Sequence, residues 1–266
     1  MEKFFRFAAR RPRLCKLLYL LFPTLPLSVS LALLDVSWLE NLLYTALVLL
    51  PSYLLVDLSG ILLMSPKVKN LNENCDPIPL FEVSGFLLTC RQRSSHRIVT
   101  AMNHAVALRD LGAFEEALKV MEGVNLSRPR KIPAMVKFVY FHNLTDLLDN
   151  LGRREEADAM YARAMEFWGT VPPRRKTPAL ENTLRFSQAF AHCRRGEFSR
   201  AVASVQDMNC TSPRQQVERG MLLARCAIAL GQTQRAAEWL SYVISHSNRL
   251  YLVALAQNLL DNLENT

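Results

Sequence analysis

LGAFEEALKVM occupies Leu111–Met121, and the frame inside it returns three more times along the chain. LGRREEAD runs over Leu151–Asp158, RGEFSRAV over Arg195–Val202 and LGQTQRAA over Leu230–Ala237. In each, an alanine follows a glycine by five residues: Gly112 and Ala117, Gly152 and Ala157, Gly196 and Ala201, Gly231 and Ala236. Steps of 40, 44 and 35 residues separate the glycines. Recurrence at about 20–50 residues marks stacked supersecondary units.

Helical periodicity surrounds each glycine. Ile98, Ala101, Ala105 and Leu108 precede Gly112 at three- and four-residue spacing, so they share one helical face. Gly112 ends that helix, because glycine tolerates the left-handed conformation needed there. Phe114, Ala117, Leu118 and Met121 then line a second helix, with alanine where the two cross closely. Corresponding faces are Leu144, Leu148, Leu151, Ala157, Tyr161 and Ala164; Phe186, Ala189, Phe198, Ala201 and Val205; and Ala224, Ile228, Ala236, Leu240 and Val243. Residues 248–264 form one more amphipathic helix without a partner of its own, as a cap over the exposed end of a stack.

This pattern resembles the tetratricopeptide-repeat family over about residues 94–246. The segment Leu111–Met121 carries Leu-Gly, an aromatic two residues after the glycine, the alanine and a large apolar residue four later. Elsewhere Arg154 and Thr233 replace the aromatic, and Arg195 replaces the leucine. The resemblance implies an α-solenoid of about four helix pairs whose first helices line a concave groove. Groove positions then fall at Met102, Asn103, Val106, His142, Asn143, Asp146, Phe186, Phe190 and Arg225. Asn103 and Asn143 share one offset from their glycines, and two amides can hold an extended peptide backbone; the alternative is a solvated polar face. The lysines of the family's peptide-carboxylate clamp are missing.

Upstream the composition changes. Residues 17–34 and 42–64 are nearly uncharged, each close to the roughly 20 residues that span a bilayer. A short acidic connector makes them a hairpin, and prolines such as Pro23, Pro26 and Pro51 are tolerated in membrane helices. Length, and a second apolar stretch following at once, argue against a cleaved signal peptide. Six basic residues lie within the first sixteen, the connector has Asp35 and Glu40, and Lys67 and Lys69 follow. The positive-inside rule therefore places both termini in the cytoplasm. The expected organisation is all-α: a basic N-terminus and transmembrane hairpin over 1–66, a linker or juxtamembrane segment over 67–92, and a repeat domain over 93–266. LFEVSGFLL (Leu80–Leu88) packs either on the first repeat or at the bilayer surface. Asp57, inside the second span, lacks an evident basic partner and is placed near the interface or opposite Ser28 or Ser30.

Motifs for phosphate, dinucleotide, zinc or serine-nucleophile chemistry are missing, and no catalytic residue, metal or cofactor is expected. His104, His142 and His192 lie in different units at different offsets. The six cysteines show no C-x-x-C and read as free thiols, the rival being a Cys75–Cys90 disulfide. The net charge of +8 reflects membrane orientation, and no nucleic-acid partner is expected. Inter-unit connectors carry Arg128, Arg130 and Lys131, then Arg174, Arg175 and Lys176, then Arg214. They form a basic edge suited to anionic lipid, unless they are ordinary solvated loops. The leading function is a membrane-anchored adaptor for a protein or peptide at the cytoplasmic face. The alternative is a small subunit of a membrane transport or envelope-assembly complex whose hairpin makes the key contacts.

Overall fold

A computed structural model describes residues 1–34, 36–90, 94–127 and 132–264. They are helical throughout, with no strand among the described residues. The chain divides into two compact units: Met1–Lys67 with Gly85–Gln92, and Val68–Ser84 with Arg93–Thr266.

The first unit opens with α1 (Glu2–Arg10), an amphipathic helix where only a basic tail was expected. It stops at Arg11, which leaves the helical region (φ −131°, ψ 61°) because Pro12 crowds its backbone. Then come α2 (Pro12–Tyr19), a wide π-turn (Leu20–Thr24) and α3 (Leu25–Leu33). The π-turn has a local cause. Pro23 offers no N–H to the carbonyl of Tyr19, and the Thr24 hydroxyl donates to that carbonyl instead at 2.6 Å. The return helix, α4, runs over Trp38–Asn74. Its 37 residues, about 55 Å at 1.5 Å each, outrun the expected span of 42–64.

Both arms, Pro12–Leu33 and Trp38–Asn74, are long and apolar enough to cross a membrane. Their apolar side chains face outward: Phe22 is 72 %, Leu33 82 %, Leu47 71 % and Leu50 74 % exposed. Polar groups tie the arms together at two levels. Asn41 Nδ2 donates to the Ser28 carbonyl at 2.9 Å, and the Ser28 hydroxyl to Asn41 Oδ1 at 3.1 Å. Lys16 Nζ meets Asp57 Oδ1 at 2.6 Å and lies 5.1 Å from the Tyr53 ring centroid. Asp57 therefore has the basic partner that sequence did not reveal, and its neighbour is Lys16 rather than Ser28 or Ser30. The first arm begins at Pro12, which brings Lys16 level with it.

The expected linker, 67–92, is mostly helix. The α4 helix continues to Asn74, and α5 covers Ile78–Thr89. Within the second unit, Phe81 stacks on His104 (5.1 Å) and Ser84 Oγ hydrogen-bonds its Nδ1 at 2.9 Å. Within the first, Leu87 is buried, 3.7 Å from where a side chain on Gly60 would begin.

Four consecutive helix pairs make up most of the second unit: α6 (Ser94–Asp110) with α7 (Phe114–Glu122), α8 (Ala134–Asn150) with α9 (Arg154–Thr170), α10 (Pro178–Arg194) with α11 (Phe198–Val205), and α12 (Pro213–Ala229) with α13 (Thr233–His246). Every first helix ends on a left-handed glycine, with φ from 70° to 84° at Gly112, Gly152, Gly196 and Gly231. The residue after the glycine donates back to the helix in each case, as Ala113 N–H does to the Leu108 carbonyl at 2.9 Å. That bond satisfies a carbonyl the helix end leaves open. Ala117, Ala157, Ala201 and Ala236 are all fully buried. Thr177 and Ser212 cap α10 and α12 through their side chains, each followed by proline at the first helical position. The last helix, α14 (Leu252–Glu264), packs against α13.

Candidate functional site

The segment before α14 returns to the first helix pair. Tyr251 N–H donates to the Asp110 carbonyl at 2.8 Å, and its ring meets Phe114 edge-on at 5.0 Å. Its phenol hydrogen-bonds Asn150 at 3.2 Å. Asn248, at φ 47°, donates from Nδ2 to the Asn74 carbonyl at 2.7 Å. These contacts join the end of the second unit to its beginning.

Charged side chains fill the interior so enclosed. Arg109, at the end of α6, bonds Asp110 at 2.6 Å, Glu218 of α12 at 2.7 Å, and Asp146 of α8. Arg214 bonds Asp110 at 2.8 Å and Glu218 at 3.0 Å. Burial disfavours charge on Arg109, but Asp110, Asp146 and Glu218 outweigh it and hold the guanidinium protonated. Burial likewise pushes Asp110 upward, while Arg109 and Arg214 overcome it and keep its carboxyl below the usual range. His142, hydrogen-bonded to Ser187 at 2.6 Å, is driven down to about 4 by burial and stays neutral at physiological pH. Burial also pushes the Tyr251 phenol up, so it remains a donor.

Beside this cluster lies a cavity of about 60 Å³. It has room for a few waters. Two arginines, Arg109 and Arg225, face three carboxylates, Asp110, Asp146 and Glu218, across its lining, and Phe186, Phe190 and Tyr251 supply apolar wall.

Of the groove positions read from sequence, His142, Asp146, Phe186, Phe190 and Arg225 converge on this cavity. Met102, Asn103, Val106 and Asn143 do not line it. Met102 and Asn143 are buried, and Asn103 Nδ2 donates to the Val99 carbonyl of its own helix at 3.0 Å. The two amides thus stand in different surroundings rather than as a matched pair. Arg109, Asp110, Glu218 and Tyr251 were missed. Charges in the last turn of a helix ordinarily face water, and no local signal announces that a segment some 140 residues later will cover them.

The proposed basic edge divides. Arg174 and Arg175 are exposed on a single 3₁₀ turn, and Lys176 Nζ lies 4.5 Å from the Trp168 ring centroid. Arg214 belongs to the interior cluster instead, because Asp110 and Glu218 draw it inward. Arg128, Arg130 and Lys131 lie outside the described residues. All six cysteines are free thiols, Cys75 and Cys90 included.

Three of the five histidines are fastened by neighbouring side chains: His104 to Ser84, His142 to Ser187, and His192 to Glu197 at 2.6 Å. Ser187 is buried and its hydroxyl also bonds the Thr183 carbonyl, so its contact with His142 leaves no approach for a substrate. No group of three His, Cys, Asp or Glu suited to a metal ion occurs among the described residues. Compared with known proteins, the chain matches no family model, and no curated protein or solved structure is significantly similar to it.

Proposed function

We propose that this chain is a membrane-anchored adaptor of tetratricopeptide-like build, holding a protein or peptide partner at the cytoplasmic face. The observation that carries the proposal is the shared anatomy of the four helix pairs: a left-handed glycine turn, then a fully buried alanine five residues on. Helix-pair arrays of that kind stack into extended surfaces for macromolecules. The outward apolar side chains of the hairpin support a bilayer anchor. On this reading Lys16 and Asp57 mark the cytoplasmic boundary, where a paired carboxylate costs less than in hydrocarbon. Arg174 and Arg175, exposed on their turn, are candidates for anionic headgroup contact, worth about 1 kcal/mol each near a charged surface.

The interior cluster narrows what a partner touches. With Asp146 and His142 engaged inside the domain, recognition passes to accessible inner positions, chiefly Val106, Phe190 and Arg225. Photo-crosslinking residues placed at Val106, at Arg225 and at Leu47 in cells test this. Adducts with one partner from Val106 and Arg225 support the adaptor. Adducts from Leu47 alone support the second reading, a subunit of a membrane complex joined through the hairpin. The exposed Leu47 and Leu50 would suit that role equally.

A further inference from the structure

Cys193 and Cys226 lie 33 residues apart in sequence, on α10 and α12, with sulfurs 3.6 Å apart. Both are free thiols within one packed cluster that also holds Phe186, Phe190 and Leu222. We propose that Cys193 and Cys226 form a redox modification site, a dithiol that a hydroperoxide converts to an intramolecular disulfide joining α10 to α12.

The geometry favours the pair. A disulfide needs sulfurs about 2.05 Å apart, so closure asks for about 1.5 Å of approach between side chains already in contact. The two sulfurs are unequal. Cys226 is fully buried, whereas Cys193 is only partly buried, which makes it the more accessible of the two. The hydrogen bond from Cys226 holds the Cys193 thiol below the usual range against the effect of burial, with Arg225 and Arg194 adding to it. The same hydrogen bond, with burial, raises Cys226. Cys193 is thus the attacking sulfur and Cys226 the resolving one. Burial raises Cys75, Cys90 and Cys210, which makes them slower competitors.

The steps balance. Cys193 thiolate attacks one oxygen of hydrogen peroxide, the O–O bond breaks, and the departing hydroxide takes the thiol's proton as water. Cys193 is then a sulfenic acid. The Cys226 sulfur attacks the Cys193 sulfur, the S–O bond breaks, and hydroxide leaves as water with the Cys226 proton. Two thiols and one peroxide become one disulfide and two waters, two electrons passing from sulfur to oxygen. The bond would form beside the cavity: Phe190 is one turn before Cys193, Leu222 one turn before Cys226, and Arg225 adjoins Cys226, all three in its lining. Oxidation would fix the spacing of those two helices.

The test uses the reduced full-length protein in detergent with one equivalent of hydrogen peroxide, then alkylation, non-reducing digestion and mass spectrometry. The expected product is a peptide pair linked through Cys193 and Cys226, with the other four cysteines alkylated and the link reversed by dithiothreitol. Cys193→Ser should abolish it. Cys226→Ser, whose hydroxyl can still donate to the Cys193 sulfur, should instead leave a Cys193 sulfenic acid that dimedone traps several-fold more than in the parent. A folded parent that keeps both thiols alkylatable, or links another pair first, would overturn the proposal and leave two thiols packed as small apolar residues.

Discussion

Arg109→Met should be the most damaging single change in the helical domain. The unbranched apolar side chain of methionine fills much of the space of the arginine stem and removes the guanidinium. Asp110 and Glu218 retain Arg214 at 2.8 and 3.0 Å, but Asp146 loses its cation and, among the described residues, keeps Asn150 Nδ2 at 3.3 Å. Stranding a buried charge costs about 3–5 kcal/mol, against a total stability of about 5–15 kcal/mol. In a domain this size 1 kcal/mol moves the melting temperature by about 2–4 °C, so a fall of about 6–20 °C is expected at pH 7. In the parent, Asp110 sits below its unfolded value, so its contribution is present above that value and is lost as pH falls through the lower folded one. Adding Asp146→Asn to Arg109→Met should recover a large part of the loss at pH 7, because the stranded charge is then gone. Full-length protein in detergent, followed by circular dichroism on heating, gives these numbers. A variant within about 1 kcal/mol of the parent at pH 7, or a double variant no more stable than Arg109→Met alone, would refute a buried charge cluster centred on Arg109.

Ala117→Leu should overpack the first helix pair at a cost of about 1–3 kcal/mol, because Ala117 is fully buried; an unchanged denaturation midpoint would contradict it. Gly112→Ala places a methyl 3.2 Å from Tyr251 Cβ at a φ of 84°. It should cost about 1–2 kcal/mol and speed hydrogen exchange at the Tyr251 amide, and protection as in the parent would exclude the closure. His142, held down to about 4 by burial, contributes stability that is present above its unfolded value and lost as pH falls toward 4, about 3 kcal/mol over the window. Asp149, pushed up to about 6 by burial despite Arg194 at 2.5 Å, has the opposite sign: its contribution is largest below its unfolded value and fades as pH rises toward 6. Asp149→Asn should therefore steepen the acid loss between pH 6 and 4, and His142→Gln should flatten it; equal melting curves for both would refute these assignments. Trypsin should cut after Arg174 and Arg175 more slowly in nanodiscs of anionic lipid than of neutral lipid, with the difference erased by salt, and equal rates would leave that turn a solvated loop.

The short-range features were legible because their causes are local. Gly112, Gly152, Gly196 and Gly231 announced helix ends, and Ala117, Ala157, Ala201 and Ala236 announced tight packing. The two apolar arms were visible from length and hydropathy alone. Residues 67–92 were harder, because an apolar run such as Leu80–Leu88 has no polar face to set a period. Lys16 opposite Asp57 depends on hairpin register, which neither arm encodes by itself. Sequence could not supply the closure through Asn248 and Tyr251, and without it Arg109, Asp146 and Arg214 look like solvated or groove-lining charges. Burying them requires α6, α8, α12 and the chain before α14 to meet.

On the proposed reading, the hairpin holds the helical domain at the cytoplasmic face of a membrane. A reporter active only outside the cytoplasm, fused in turn after Thr266 and into the connector between α3 and α4, measures it directly. The fusion at Thr266 should be silent and the connector fusion active, with the chain sedimenting in the membrane fraction. Activity at Thr266 would contradict it.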